Sequence, residues 1–184
     1  ALDSVNFGSG YFPHLRKRAG MSGYFTVATS LKDHWDQHGA LTPAQLRTIA
    51  PASCAAIFGQ SLTHDVVAEL MGLFAQALRD LGRFLGGRHA LDLVAESKGS
   101  AAVLARTLAD GMALYDDRGF WKRAQIAPSN LALAGVAEFG DLDRLTIFAD
   151  NLVPHVLRCA GVLVHSPGLA AHIDAGRPLR PGPQ

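Results

Sequence analysis

The sequence has little net charge and few charged residues. Seventeen Lys and Arg stand against sixteen Asp and Glu among 184 residues, a formal charge of +1. Non-specific nucleic-acid binders are usually strongly basic, so this balance argues against direct binding of nucleic acid. No apolar run reaches the roughly 20 residues of a membrane-spanning helix, and no secretion signal is visible. We therefore expect a cytoplasmic protein with neither nucleic acid nor membrane as its partner.

Cysteine is scarce as well. Cys54 and Cys159 are the two in the chain, and neither lies in a zinc-binding spacing. Free cysteines are usually buried, so we expect two buried thiols in a reducing compartment. His34 and His38 stand four residues apart without the Glu of an HExxH motif or an obvious third ligand. They are predicted to be surface histidines, and we expect no bound metal.

Hydrophobic residues, by contrast, make up 48% of the chain, which is enough to bury a core. Apolar residues recur at helical spacing and no stretch alternates cleanly, so the pattern predicts an all-α, irregular multi-helix domain over 1–184 with an irregular tail over 177–184. The predicted helices cover 24–38, a short helix from Pro43, 51–58, 64–85, 101–109, 120–139 with an interruption at Pro128, 142–148, a helix from Pro154, and 169–174.

Helix starts are predicted at side chains that can accept the free N–H groups of a first turn, namely Thr42, Thr63 and Ser100. Thr42 followed by Gln45 has the pattern of a capping box. In the helix after Ser100, the spacing places Val103 on the core side.

A cationic segment, FWKRAQ over 120–125, stands at the start of a predicted helix. Lys and Arg in a first turn oppose the helix dipole. This mild penalty indicates an anionic partner such as a carboxylate or phosphate; the alternative is a solvated helix end. The side chains of Lys122, Arg123 and Gln125 are expected to fan out away from the core.

Asp150 ends an apolar run and precedes the helix that Pro154 is predicted to open. An Asp at this place can be a helix N-cap and nothing more. The same place suits a carboxylate that stabilises a developing positive charge. The residues alone leave both interpretations open.

Several segments together resemble the queuosine salvage protein family, the queuosine 5′-phosphate N-glycosylases that free queuine for reuse in tRNA. The segments FWKRAQI (120–126), LTIFAD (145–150) and VPHVLR (153–158) carry the resemblance. At the front, residues 3–7 are similar to the family's Asp-x-x-Asn-Phe segment and residues 22–24 to its Ser-Gly-Tyr.

The resemblance implies a fold similar to the helical DNA glycosylases, queuosine 5′-monophosphate as the small-molecule substrate, and queuine and ribose 5-phosphate as products. It implies no metal or redox cofactor. It also implies that 1–184 is a core portion of a longer family chain. Two alternatives stay open: a glycosylase for another nucleotide, and a non-catalytic or fragmentary domain that binds queuosine or another nucleotide.

On this resemblance Asp150 is the catalytic candidate, because a carboxylate can stabilise an oxocarbenium-like sugar and orient water. The candidate substrate-binding residues are Asp3 and Asn6 at the base edge, Phe7 and Tyr24 on its face, Lys122 and then Arg123 at the phosphate, His155 as another phosphate contact, and Asn151. For Asp3 and Asn6, capping of a turn is the alternative.

The chain departs from the family pattern at Leu152, where many members have a cation, and at Asn130, where many have Asp. If the missing cation contacts phosphate in relatives, Lys122 or His155 is expected to supply that contact here. Pro128 within the helix is unusual too, and we expect it to tilt Lys122.

Overall fold

The computed structural model describes residues 1–117, 119–150, 152–177 and 179. These residues contain helices and no strand, which confirms the all-α prediction. The α-helices are α1 (Gly23–His38), α2 (Pro43–Thr48), α3 (Pro51–Ile57), α4 (Asp65–Leu85), α5 (Ala90–Glu96), α6 (Ala101–Gly111), α7 (Lys122–Leu133), α8 (Leu152–Cys159) and α9 (Pro167–Asp174). Short 3-10 turns lie at Asp3–Val5, Ser9–His14, Ala113–Tyr115 and Leu142–Arg144.

The chain divides into two compact units, Ala1–Thr146 and Ile147–Gln184. The first unit contains α1 to α7, and the second contains α8 and α9. Of the tail predicted over 177–184, the structure describes Arg177 and Leu179 and leaves the rest outside. None of the described helices is both long and apolar enough to cross a bilayer.

Helix α4 forms the centre of the first unit. Its apolar stripe is buried as the periodicity predicts, and Leu70, Met71, Phe74 and Leu78 are fully buried. The helix packs against α2, α3 and the two N-terminal 3-10 turns. At Gly82 the contact with α2 is so close that a β-carbon would lie 2.7 Å from the backbone nitrogen of Arg47. The core of the unit is therefore built around this one helix.

The predicted helix starts are correct in two of three cases. Thr42 and Gln45 form a complete capping box, and the Ser100 hydroxyl accepts the N–H of Val103. Thr63 does not cap α4: the helix begins at Asp65 after His64, which makes no side-chain cap bond. The N–H of Thr63 instead donates to the Ser61 hydroxyl in the preceding turn.

Three helix predictions in the second half of the first unit need correction. Helix α5 was not expected, and it begins at a cap formed by His89 with Asp92. Residues 142–148 form no α-helix; they contain the 3-10 turn, and the carboxylate before it, Asp141, accepts bonds from Ser100 and Ala101 at the start of α6. Helix α7 ends at Leu133 and continues through Pro128 without the expected interruption.

Two side chains expected in the core are exposed. Val103 is 49% exposed, because the buried face of α6 is formed by Ala101, Leu104, Ala105 and Leu108, which are three or four residues apart. Cys159, expected to be buried, is exposed at the end of α8, whereas Cys54 is buried as predicted.

Candidate active site

The front end of the chain forms a 3-10 turn that presents Asp3 and Asn6. Ser4 and Val5 of this turn are buried and anchor it in the first unit. No side chain caps the turn, so turn capping does not account for Asp3 or Asn6. The Asn6 carboxamide is half-buried and has no hydrogen-bond partner among the residues that the structure describes. It is therefore able to bind a ligand.

Asp3 is tied to α7, which lies 127 residues away in sequence. Asn130 Nδ2 donates to Asp3 Oδ1 at 2.6 Å. Burial raises the pKa of Asp3 above its usual range, while the Asn130 hydrogen bond and the nearby Arg123 charge lower it and offset part of this effect. Within the described part of the chain, the second carboxylate oxygen accepts no hydrogen bond.

Arg123 is turned into the protein, contrary to the expectation that it fans outward. It is 9% exposed. Its guanidinium carbon lies 4.4 Å from the centre of the Phe7 ring and 4.7 Å from that of Tyr115. The guanidinium donates to the carbonyl groups of Leu114 and Ser4. Arg123 thus fastens the N-terminal turn to α7, and its main partners are the protein's own carbonyl groups and rings.

Tyr115 completes this cluster. Its hydroxyl lies 3.2 Å from the Ser4 hydroxyl, and burial raises the pKa of Tyr115 to about 12. Burial also lowers the pKa of Arg123, whose Nε is buried without a hydrogen-bond partner among the described residues. The cluster is therefore held together mainly by hydrogen bonds and ring contacts of buried polar groups.

Lys122 opens α7 beside this cluster. Its backbone N–H donates to the carboxylate of Asp117 at 2.8 Å, so a carboxylate of the chain itself occupies the helix start. The ammonium group makes no ion pair or hydrogen bond within the described ranges. Gln125, expected to point outward like Arg123, is instead 7% exposed and bonded to Phe120 and Thr146. Of the three side chains of this segment, Lys122 is the one available to an anion.

The two aromatic candidates differ in their surroundings. Phe7 packs edge-on against Phe74 at 5.3 Å and has Arg123 over its ring, so much of it is used inside the protein. Tyr24, in the first turn of α1, is 36% exposed and contacts Phe25 edge-on at 5.4 Å. Tyr24 therefore offers the more accessible aromatic surface.

In the second unit, Asp150 stands at the start of α8. One of its carboxylate oxygens accepts the N–H groups of Leu152 at 2.9 Å and Val153 at 3.0 Å. The helix thus begins two residues before Pro154, and Asp150 has the geometry of a cap. The carboxylate is half-buried, and its other oxygen accepts no hydrogen bond from the described residues. Asn151 lies outside the described residues.

His155 lies on the same helix and is exposed. Its Nε2 is 3.7 Å from the Cys159 sulfur. The described residues hold no group of three or more His, Cys, Asp or Glu side chains placed to bind a metal ion. His34 and His38 stack on each other with ring centres 4.7 Å apart.

The structure therefore joins Asp3, Phe7, Arg123 and Asn130 in one cluster of the first unit, and places Asp150 and His155 on α8 of the second. Tyr115 and Asn130 were not among the predicted site residues. One signal for Asn130 was present in the sequence: it stands seven residues after Arg123, so the two share a face of α7. Nothing in the sequence indicated the contact of Tyr115 with Ser4.

The described structure is an all-helical protein with ionisable side chains gathered at one N-terminal turn, at the start of α7 and at the start of α8. A family model described as queuosine salvage protein matches residues 2–184. The chain therefore belongs to the queuosine salvage protein family. It is 35% identical over 187 aligned positions to a Sphaerobacter thermophilus protein named queuosine 5′-phosphate N-glycosylase/hydrolase. That match covers 91% of this chain and 57% of the relative, so the chain spans little more than half of the relative's length.

Proposed function

We propose that this chain carries the glycosylase centre of a queuosine salvage protein, which hydrolyses the N-glycosidic bond of queuosine 5′-monophosphate. The observation that carries the proposal is the 35% identity to a relative named for that activity. Water adds its hydroxyl to the sugar carbon, the bond to the base nitrogen breaks, and the base leaves with a proton as queuine. Ribose 5-phosphate is the other product.

Asp150 is the catalytic residue in this proposal. The N–H groups of Leu152 and Val153 hold one of its oxygens. The other oxygen is then available to stabilise the positive charge that develops on the sugar and to orient the attacking water. Queuine is a 7-deazaguanine and lacks the ring nitrogen at which purines are commonly activated. A larger part of the barrier must therefore be lowered at the sugar, which is where a carboxylate acts.

Base recognition is assigned to the N-terminal turn. The unpaired Asp3 oxygen accepts from amino and ring N–H groups of the base, and the free Asn6 carboxamide both donates and accepts. Tyr24 supplies the stacking surface, since Phe7 is largely engaged by Arg123 and Phe74. Phe7 then acts by supporting the turn. These roles are assigned to the polar and aromatic side chains of the first unit that are least engaged by other side chains of the protein.

Phosphate binding is assigned to Lys122, whose ammonium group has no protein partner in the described structure. Arg123, predicted as the second phosphate contact, is reassigned to support of the turn because its guanidinium already bonds backbone carbonyl groups. His155 and Asn151 stay as predicted binding residues. In this proposal the reaction takes place in the cytoplasm, and the substrate is a free nucleotide and not a nucleic acid.

One observation favours a second candidate, a nucleotide-binding domain without catalysis. The Asp150 carboxylate has a complete structural role as the cap of α8, so its presence is explained without any reaction. In that case the chain binds the nucleotide through the N-terminal turn and Lys122 and releases nothing.

The test is incubation of this chain with queuosine 5′-monophosphate, with free queuine measured by mass spectrometry and binding by calorimetry. We expect queuine and ribose 5-phosphate in equal amounts. Binding without release supports the second candidate. Equal release of guanine from guanosine 5′-monophosphate contradicts the assigned substrate and points to a glycosylase for other nucleotides.

A further inference from the structure

The link between Asp3 and Asn130 joins the proposed base-reading turn to α7. Asn130 Nδ2 and Asp3 Oδ1 are 2.6 Å apart. An amide is a neutral donor, so it can hold one oxygen of a carboxylate at any pH while adding no charge of its own. A carboxylate at the same place would compete with Asp3 for a proton.

We propose that Asn130 is a positioning residue that fixes the orientation of Asp3 and keeps its carboxylate ionised, so that the second oxygen is free to accept hydrogen bonds from the substrate base. This inference rests on the proposed function, because the base is the ligand that Asp3 is assigned to read. Asn130 itself acts through Asp3 and needs no contact with substrate.

The charged and titratable groups around Asp3 fit this role. Arg123 comes from α7 and donates weakly to the Asp3 carbonyl, at 3.4 Å. Tyr115 comes from the 3-10 turn before α7, and burial raises its pKa to about 12, so it stays neutral at ordinary pH. Arg123 favours the ionised carboxylate, burial opposes it, and the Asn130 amide is the group that bonds it directly.

The decisive variant is Asn130→Asp, which keeps the size of the side chain and replaces the neutral donor with a second carboxylate. Two carboxylates at hydrogen-bond distance share one proton over a wide pH range. As the pH is lowered, the Asp3 carboxylate is then protonated, and lost as an acceptor, at a higher pH than in the wild type. We expect the acid limb of kcat/KM for queuosine 5′-monophosphate to move to higher pH by about one unit or more. Asn130→Ala removes the bond without adding a charge, so it should also move the acid limb to higher pH. A merely structural tie would lower the melting temperature of Asn130→Ala and leave its pH profile where it is.

A second variant separates the position of the charge from the presence of the bond. The exchange Asp3→Asn with Asn130→Asp keeps one amide and one carboxylate in contact, so we expect it to recover most of the stability lost in Asn130→Ala. We expect it not to recover turnover, because the carboxylate is now on α7. Ser129→Ala, the neighbouring residue on the same helix, is the matched control and should leave the pH profile unchanged.

Binding of free queuine, measured by calorimetry across the same pH range, separates this inference from the proposed reaction. The wild type should bind queuine more weakly as Asp3 is protonated, and Asn130→Asp should show the same loss at higher pH. If the wild type binds queuine but does not hydrolyse queuosine 5′-monophosphate, the proposed reaction is contradicted. The positioning role is still supported in that case if the pH dependence of queuine binding is shifted in Asn130→Asp. Unchanged pH profiles in Asn130→Asp overturn the positioning role alone. Absence of queuine binding by the wild type at every pH overturns both.

Discussion

The carboxamide of Gln125 holds Thr146 at two points: it accepts the backbone N–H at 2.7 Å and donates to the hydroxyl at 2.8 Å. The same nitrogen donates to the carbonyl of Phe120 at 2.9 Å. Gln125 is buried whereas Thr146 is exposed, so these bonds are partly shielded from water. Gln125 therefore ties the start of α7 to Thr146, the last residue of the first unit.

Asp150 provides the sharpest test of catalysis, because its charge can be removed while its cap is kept. In Asp150→Asn the side-chain oxygen still accepts the N–H groups of Leu152 and Val153, and Asn is about as good an N-cap as Asp. We expect kcat for queuine release to fall by about 100-fold to 10,000-fold with little change in melting temperature. Mass spectrometry of free queuine and thermal unfolding are the two measurements.

Ser166→Ala is the matched control for the cap. Ser166 caps α9 in the same unit through the N–H of Leu169. Its replacement should lower stability by about 0.5–2 kcal/mol without lowering kcat at a temperature where the protein is folded. Full activity of Asp150→Asn would show that the carboxylate serves the helix and not the reaction.

Lys122→Ala tests the assignment of the phosphate contact. A hydrogen bond between a cation and a phosphate is worth about 1.5–3 kcal/mol, so kcat/KM for queuosine 5′-monophosphate should fall by about 10-fold to 150-fold. Queuosine without its phosphate should be affected far less. The comparison of the two substrates, with exposed Lys17→Ala as the control, isolates the phosphate. Equal losses on both substrates would place Lys122 elsewhere in the site.

Arg123→Lys tests whether the buried guanidinium supports the fold. Lysine lacks the planar fork that serves the carbonyl groups of Leu114 and Ser4, and it fills the space between two rings poorly. We expect a loss of about 2–4 kcal/mol in the free energy of unfolding by urea, because buried carbonyl groups lose their donors.

The control for Arg123 is Arg106→Lys. Arg106 is exposed and lies 5.3 Å from the centre of the Trp121 ring, a contact worth about 0.5–1 kcal/mol. If Arg123→Lys and Arg106→Lys lower the free energy of unfolding by the same amount, Arg123 does not hold the N-terminal turn. Its assignment to phosphate binding then regains support.

Local sequence patterns predicted much of the fold and few of the long-range contacts that hold the candidate site residues in place. The stripe of α4 and the capping box at Thr42 depend on residues close in sequence, and both were predicted correctly. Arg123 was not, because a cation next to Lys122 at a helix start looks solvated, and its partners are carbonyl groups of distant residues. Asp141 shows the same limit: it bonds the start of α6 from 40 residues away, and the residues directly after it, 142–148, form no α-helix although the local pattern predicted one.

The packing of α4 against α2 can be tested with two glycines of the same helix. A β-carbon on Gly82 would meet the Arg47 nitrogen at 2.7 Å and the Pro43 carbonyl oxygen at 2.9 Å, and both are backbone atoms that cannot turn away. We expect Gly82→Ala to destabilise the protein by about 1–3 kcal/mol. Gly72→Ala meets nothing within 4 Å and should add about 0.5–1 kcal/mol through helix propensity. Urea unfolding of the two variants should therefore give changes of opposite sign.

The two cysteines should differ in reactivity and in their effect on stability at high pH. Cys54 is fully buried; burial raises the pKa of its thiol to about 11, although the Arg79 charge offsets part of this. A thiol reagent should therefore modify one cysteine per chain, Cys159, in the native protein and both in denaturant.

The unfolded Cys54 thiol ionises at about pH 8.5 and the folded thiol at higher pH, so alkaline solution favours the unfolded chain. The contribution of Cys54 to stability should be complete below that pH and decline as the pH rises toward 11. The unfolding free energies of the wild type and Cys54→Ala should converge as the pH rises over this range, whereas that of Cys159→Ala should follow the wild type. Rapid labelling of two thiols in the native protein would contradict the buried position of Cys54.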